Sequence, residues 1–191
     1  MTIARLYKLD ATPEPLFREA WIAADDESDD AAPAQFVVNR GAVGHQSTTD
    51  AVQDVTLERA KSLLAAFLDQ CAEDGFIQIP LEEQDLMIVQ YRLKTREGTD
   101  RDDYFATKTA QELTRYFAWR GLGEIVDTER GDYRLNHVVR VPDAKRAVKG
   151  ALVALRPYDP TKLTLATAPA GTENFTRKHP ATGPAFSRLG R

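Results

Sequence analysis

From Asp85 to Ala166 the chain alternates between strand-like and helix-like hydrophobic periods, and that order constrains its fold more than any other feature. Asp85–Leu93 is a nearly continuous apolar run of strand length. Thr95–Asp103 is charged and polar and reads as a loop. A helix is expected over 110–120, with Thr109 and Glu112 at capping-box spacing and Gly121 as its stop. Leu122–Asp127 reads as a strand, and Glu129–Asp132 as a hairpin turn. Tyr133–Val141 then alternates, with Tyr133, Leu135, His137, Val139 and Val141 on one side. Asp143 is placed to cap a third helix over 144–155, whose apolar face is Ala147, Val148, Ala151, Leu152 and Leu155. Lys162–Ala166 closes the series. The order β, α, β, β, α, β predicts a ferredoxin-like domain at 85–166, its two helices on one side of a four-stranded sheet. Residues 167–191 lack periodicity and read as an irregular tail, pinned by Phe175, Phe186 and Leu189.

The first 80 residues have a different pattern. Ala4–Leu9 and Leu16–Ala23 read as strands separated by Pro13-Glu14-Pro15. Gln35–Asn39 is a third strand, Arg40-Gly41 a bend and Val43–Gln46 its hairpin partner, with Ser47–Val55 a loop. A helix over 56–74 carries Leu57, Ala60, Leu64, Phe67, Leu68 and Cys71 at three- and four-residue spacing, and ends at Gly75. The fold class is thus α+β, with a domain at 1–80, a domain at 85–166 and a tail.

The charge divides in the same place. Residues 1–80 hold six Lys/Arg against fourteen Asp/Glu, and residues 81–191 hold nineteen against fifteen. The formal net charge of -4 is therefore a cancellation. The densest acidic run is Asp25, Asp26, Glu27, Asp29 and Asp30; it ends at Pro33 and reads as a solvated loop. Lys145, Arg146, Lys149, Arg156, Lys162, Arg177 and Lys178 form a basic C-terminal series.

Catalytic signatures are not found. The one cysteine, Cys71, rules out an intramolecular disulfide and a multi-cysteine zinc site. It lies on the apolar helix stripe and reads as a buried structural thiol. His45, His137 and His179 share no metal-ligand spacing, so neither metal nor cofactor is expected. His137 reads as a core histidine; the sharper reading is a general base near Asp127 or Glu124. Gly121-Leu122-Gly123 follows a helix rather than a strand, so it reads as a cap and turn, not a phosphate loop. Tyr116, Phe117 and Trp119 cannot share one helix face; the plain reading is core or interdomain packing, and the sharper one is an exposed aromatic that makes a protein contact. The start of the chain is not read as a signal peptide and no apolar run reaches membrane-helix length, so a cytoplasmic protein is expected.

Leu6-Tyr7, the Phe36-Val37-Val38 strand, the Arg40-Gly41-Ala42-Val43-Gly44 turn, the helix over 56–74 and Gly75-Phe76 together resemble the WGR domain family. Such domains occur in poly(ADP-ribose) polymerases and in small bacterial proteins, and in the polymerases they bind DNA ends through the Trp and Arg of the motif. Here those places hold Arg40 and Ala42, and only Gly41 is kept. The resemblance implies a binding surface around Arg40, Gly41, Gly44, His45 and Lys61, to which Trp119 is added as an aromatic contact. With the motif Trp and Arg gone, the leading expectation is a non-catalytic binding protein with a protein partner of basic character. Nucleic-acid binding through the basic C-terminal series is the alternative, and a small-molecule binder or enzyme at the domain interface is the third.

Overall fold

A computed structural model describes residues 3–188; Leu189, one of the three residues expected to pin the tail, lies outside them. The chain is mixed α+β with two antiparallel sheets. It divides into two compact units, Met1–Ile79 with Trp119–Gly121, and Pro80–Ala118 with Leu122–Arg191.

The first unit is a meander of four strands, β1 (Ala4–Lys8), β2 (Leu16–Ala24), β3 (Pro33–Ala42) and β4 (Thr48–Thr56), followed by α1 (Leu57–Glu73). Thr56 starts the helix by accepting the Arg59 N–H at 3.2 Å. Ala20, Ala34, Phe36, Leu57 and Ala60 are buried together between sheet and helix, with Phe67 edge-on to Phe36. Leu68, expected on that stripe, is exposed.

Two expectations are corrected. Arg40 and Gly41 are inside β3 rather than at a bend, and the Val43–Gln46 segment is the turn rather than a strand. The true hairpin partner is β4, expected to be a loop. It is an edge strand with no buried residue, so neither face imposes the alternation by which strands are recognised.

Arg5, Glu19, Asn39 and Thr49 sit opposite one another across all four strands. Glu19 and Asn39 are buried. Glu19 accepts from the Arg5 guanidinium and, at 3.2 Å, from the Asn39 amide. Asn39 in turn accepts from the Thr49 hydroxyl at 3.2 Å. The ladder fixes the register, because slipping one strand would strand a buried carboxylate without its partners.

The second unit runs β5 (Asp85–Arg92), α2 (Asp100–Ala118), β6 (Glu124–Gly131), β7 (Arg134–Val141), α3 (Ala144–Ala154), β8 (Leu163–Ala168) and β9 (Thr176–His179). The sheet order is β6-β7-β5-β8-β9. Its first four strands with α2 and α3 make the ferredoxin-like βαββαβ arrangement. Asp143 caps α3 by accepting the Arg146 N–H at 2.9 Å.

Two boundaries differ from the sequence reading. Helix α2 begins at Asp100, inside the segment expected to be a loop. The Asp102 carboxylate closes its start, accepting the Thr99 N–H and hydroxyl, both at 2.8 Å. The first turn holds Asp100, Asp102 and Asp103, charges that a helix N-terminus favours although they carry no apolar period. Thr109 is therefore inside the helix, not at its cap. The hairpin turn is Asp132-Tyr133, both at positive φ, rather than Glu129–Asp132.

The tail is not wholly irregular, since β9 pairs with β8 as a fifth strand. The segments on either side of it cover the sheet face opposite the helices. Phe175 and Phe186 pack on Leu86, Ile88, Val138 and Ala168. Gln90 donates to the Ser187 carbonyl at 3.1 Å, and Arg188 pairs with Glu129. Burial of those apolar side chains, worth about 25 cal/mol per Å², holds a segment that has no periodicity of its own.

Candidate functional site

The β2–β3 connection carries the acidic run. It is built from short internal caps: Ser28 N–H donates to Asp26 at 2.8 Å, and Ala31 N–H to Asp29 at 2.9 Å. Its end is tied to α1, because the Glu58 N–H donates to the Asp30 carbonyl at 3.0 Å. Opposite it, a register shift between Ala34 and Phe36 bulges the β3–β4 ladder, and Asp54 takes φ +54°. Bulges redirect side chains. The result is a depression of about 390 Å³ lined by Ile22–Ala24, Asp25, Glu27, Pro33–Gln35 and Asp54. Three carboxylates line it and no Lys or Arg does. Among the described residues no group of three or more His, Cys, Asp or Glu is placed to hold a metal ion.

Most cations of this unit are held locally, Arg59 being an exposed exception. Arg40 pairs with Asp50 at 2.8 Å and Lys61 with Asp30 at 2.7 Å. Arg18 donates to Asp74 at 2.5 Å and to Cys71 Sγ at 3.7 Å, and lies 4.2 Å over the Phe76 ring. That guanidinium holds the Asp74 carboxyl below its usual range. Lys8 donates to the Asp74 carbonyl at 2.8 Å, at the helix end. Arg5 is bound to Glu19. Cys71 is fully buried, and burial is the main reason its thiol is pushed up.

The residues singled out from the WGR resemblance have these places. Gly41 is in β3, where an added Cβ would meet Ser47 Cα at 3.3 Å and the Phe17 ring at 3.4 Å. Gly44 and His45 are in the β3–β4 turn; His45 lies 3.2 Å from Glu14. The Gly44 N–H donates to the Arg120 carbonyl at 2.8 Å, and the Ser47 N–H to the Trp119 carbonyl at 3.0 Å. Trp119 is itself 41% exposed, whereas Phe117 is buried. Arg40 and Lys61 are on different elements, each held by its own carboxylate.

The basic C-terminal series is not one surface. Lys145, Arg146 and Lys149 are on α3, with Arg146 3.3 Å from Asp143. Arg156 follows that helix and is exposed. Arg177 and Lys178 are consecutive residues of β9, so they project to opposite faces of the sheet. Proximity in sequence misled here because a strand separates what a helix would collect.

His137 is fully buried in β7. Its Nε2 is 2.8 Å from Thr109 Oγ1 and its Nδ1 3.0 Å from Thr128 Oγ1. The Thr109 hydroxyl also lies 2.9 Å from the Phe105 carbonyl. Since a hydroxyl has one proton, Thr109 donates to that carbonyl and accepts from Nε2–H, while Thr128 donates to Nδ1. Burial lowers the imidazole pKa to about 4. A neutral ring locked between two hydroxyls is a core element, and its partners are threonines rather than Asp127 or Glu124. Gly121 and Gly123 likewise serve packing: a Cβ on Gly123 would lie 2.0 Å from the Arg140 carbonyl oxygen.

The sequence reading missed a second cavity, of about 290 Å³, at the end of β5. It is lined by Tyr91–Lys94, Thr99, Arg101, Asp102, Phe105, Asp159 and Lys162. The signal available was Arg92-Leu93-Lys94 at a strand end, followed by the Thr99-x-x-Asp102 helix start. It was hidden because Arg101 and Asp102 were assigned to a loop.

Compared with known proteins, the chain matches no family, no curated protein and no solved structure.

Proposed function

We propose that this chain is a non-catalytic binding protein whose acidic first domain engages a protein partner through a basic surface. The observation that carries the reading is the depression lined by the carboxylates of Asp25 and Asp54, with no Lys or Arg in its lining. A lysine or arginine of a partner would complete it, since an acidic site favours opposite charge and speeds encounter. The pairing of Arg40 with Asp50 and of Lys61 with Asp30 supports the same reading. Those are the cations that a WGR-type surface would offer to phosphates, and here they are already neutralised. On this account the first domain is a WGR-like module that kept its sheet and helix and exchanged its ligand, in a protein that works in the cytoplasm. No helix among the described residues is long and apolar enough to cross a membrane.

The full chain used as bait on a host lysate at low salt is expected to retain one basic protein in stoichiometric amount. Salt of about 0.5 M should release it, because the Debye length falls to a few ångströms. The Asp25→Lys, Glu27→Lys double variant should fail to retain it. Retention that survives both salt and charge reversal would rule out this mode of binding.

A further inference from the structure

We propose that the cavity at the end of β5 binds a small organic phosphate, with the phosphate held by Lys94, Arg101 and the Tyr91 hydroxyl. The apolar body of the ligand lies against Leu93 and Phe105. The assignment is independent of the acidic site on the first domain and concerns the second unit alone.

The first observation is Tyr91. Its side chain is 1% exposed, it lines the cavity, and its hydroxyl has no hydrogen-bond partner among the described residues. A buried hydroxyl left unpaired costs on the order of 1–3 kcal/mol, and native structures rarely keep one without a use. Burial raises the phenol above its ordinary range, with smaller contributions from Tyr158 and Asp159. It therefore stays a neutral O–H donor. The Phe105 ring fixes the Tyr91 ring edge-on at 4.8 Å and meets Tyr158 at 5.9 Å.

The second observation is the charge of the lining. Lys94 and Arg101 are exposed and have no carboxylate partner among the described residues, whereas Arg92, next to Tyr91 in β5, projects to the other face of the sheet. Of the two lining acids, Asp102 is spent on the Thr99 cap, and Asp159 on Lys162 at 2.8 Å and Thr161 at 2.5 Å. This contrasts with Arg40 and Lys61 of the first unit, each paired with a carboxylate. An arginine with a lysine suits a dianionic phosphate better than a single carboxylate. The start of α2 lines the cavity too, but its own first-turn carboxylates already meet that helix end. The side chains are therefore the attracting groups.

Size and depth select a small ligand over a nucleic-acid strand. A volume of about 290 Å³ is at the small end of ligand pockets, which begin near 300 Å³. A strand's backbone phosphates, riding on a surface groove, do not reach a hydroxyl that is 1% exposed.

The test is calorimetric titration of the full chain, at about 50 mM salt, with adenosine 5′-monophosphate, inorganic phosphate and adenosine. The monophosphate should bind most tightly, phosphate more weakly and adenosine weakest. Tyr91→Phe keeps the ring and removes only the unpartnered hydroxyl, so the fold should be at least as stable. It should weaken the monophosphate roughly ten- to a hundred-fold, as for a hydrogen bond to a charged group. Arg101→Ala should weaken it by a comparable factor. Silence of both phosphate probes at millimolar concentration would overturn the proposal. So would monophosphate binding that neither variant changes, or binding of a single-stranded oligonucleotide alone. Phosphate binding as tightly as the monophosphate would overturn the assignment of an apolar body.

Discussion

Gly123→Ala is expected to destabilise the second unit by about 4 kcal/mol or more, beyond the usual cost of a single substitution. Two effects add. Gly123 has φ +113°, a conformation strained for any L side chain. Its new Cβ would also fall 2.0 Å from the Arg140 carbonyl oxygen and 3.0 Å from Val141 Cα. Those are backbone atoms of β7, which lies between β6 and β5 in the sheet, so they cannot move aside without breaking ladder hydrogen bonds on both sides. Gly171→Ala separates the two effects: φ is +70°, and nothing lies within 4 Å of the new carbon. That variant should lose about 1–2 kcal/mol, the left-handed penalty alone. Urea unfolding of both variants gives the comparison. Equal losses would show that the close approach of Gly123 to β7 is wrong.

The second large effect is acid lability from His137. In the unfolded chain this imidazole takes a proton near 6.5, and in the native state only near 4, because burial opposes the charge. Between those values the unfolded state binds more protons, so stability rises with pH. The contribution is complete above about pH 6.5 and is lost as pH falls to about 4. The shift corresponds to about 3 kcal/mol, taking about 1.4 kcal/mol per pKa unit. His137→Gln does not titrate and keeps polar atoms for Thr109 and Thr128. The variant has its own fixed cost at neutral pH, but the wild-type chain should lose about 3 kcal/mol more than the variant between pH 7 and pH 4. A constant difference between the two chains over that range would show that the ring is not buried uncharged.

Much of the fold was legible because many elements bury one face. The stripe from Leu57 to Cys71 and the cap at Asp143 have a local cause, and β7 was legible as a strand although both of its faces are buried. β4 was not legible, since an edge strand exposed on both sides needs no apolar pattern. The start of α2 was missed because acidic residues that suit a helix N-terminus look like a loop to a hydrophobic count. β9 and the cover of Phe175 and Phe186 depend on partners far away in sequence. The sites divide in the same way. The acidic loop was visible as a run, but Asp54 joins it only through the bulge. Lys94 and Arg101 are brought around Tyr91 by a strand end and a helix start whose meeting no spacing records.

The direct measurement of the proposed function is the affinity of the full chain for a lysine-rich peptide. It is made by fluorescence anisotropy at about 50 mM and about 300 mM salt, alongside the Asp25→Lys, Glu27→Lys double variant. An acidic docking site predicts binding at low salt, at least tenfold weakening at the higher salt, and a further tenfold or greater loss in the variant. No binding at low salt, or equal binding by the two chains, would contradict it.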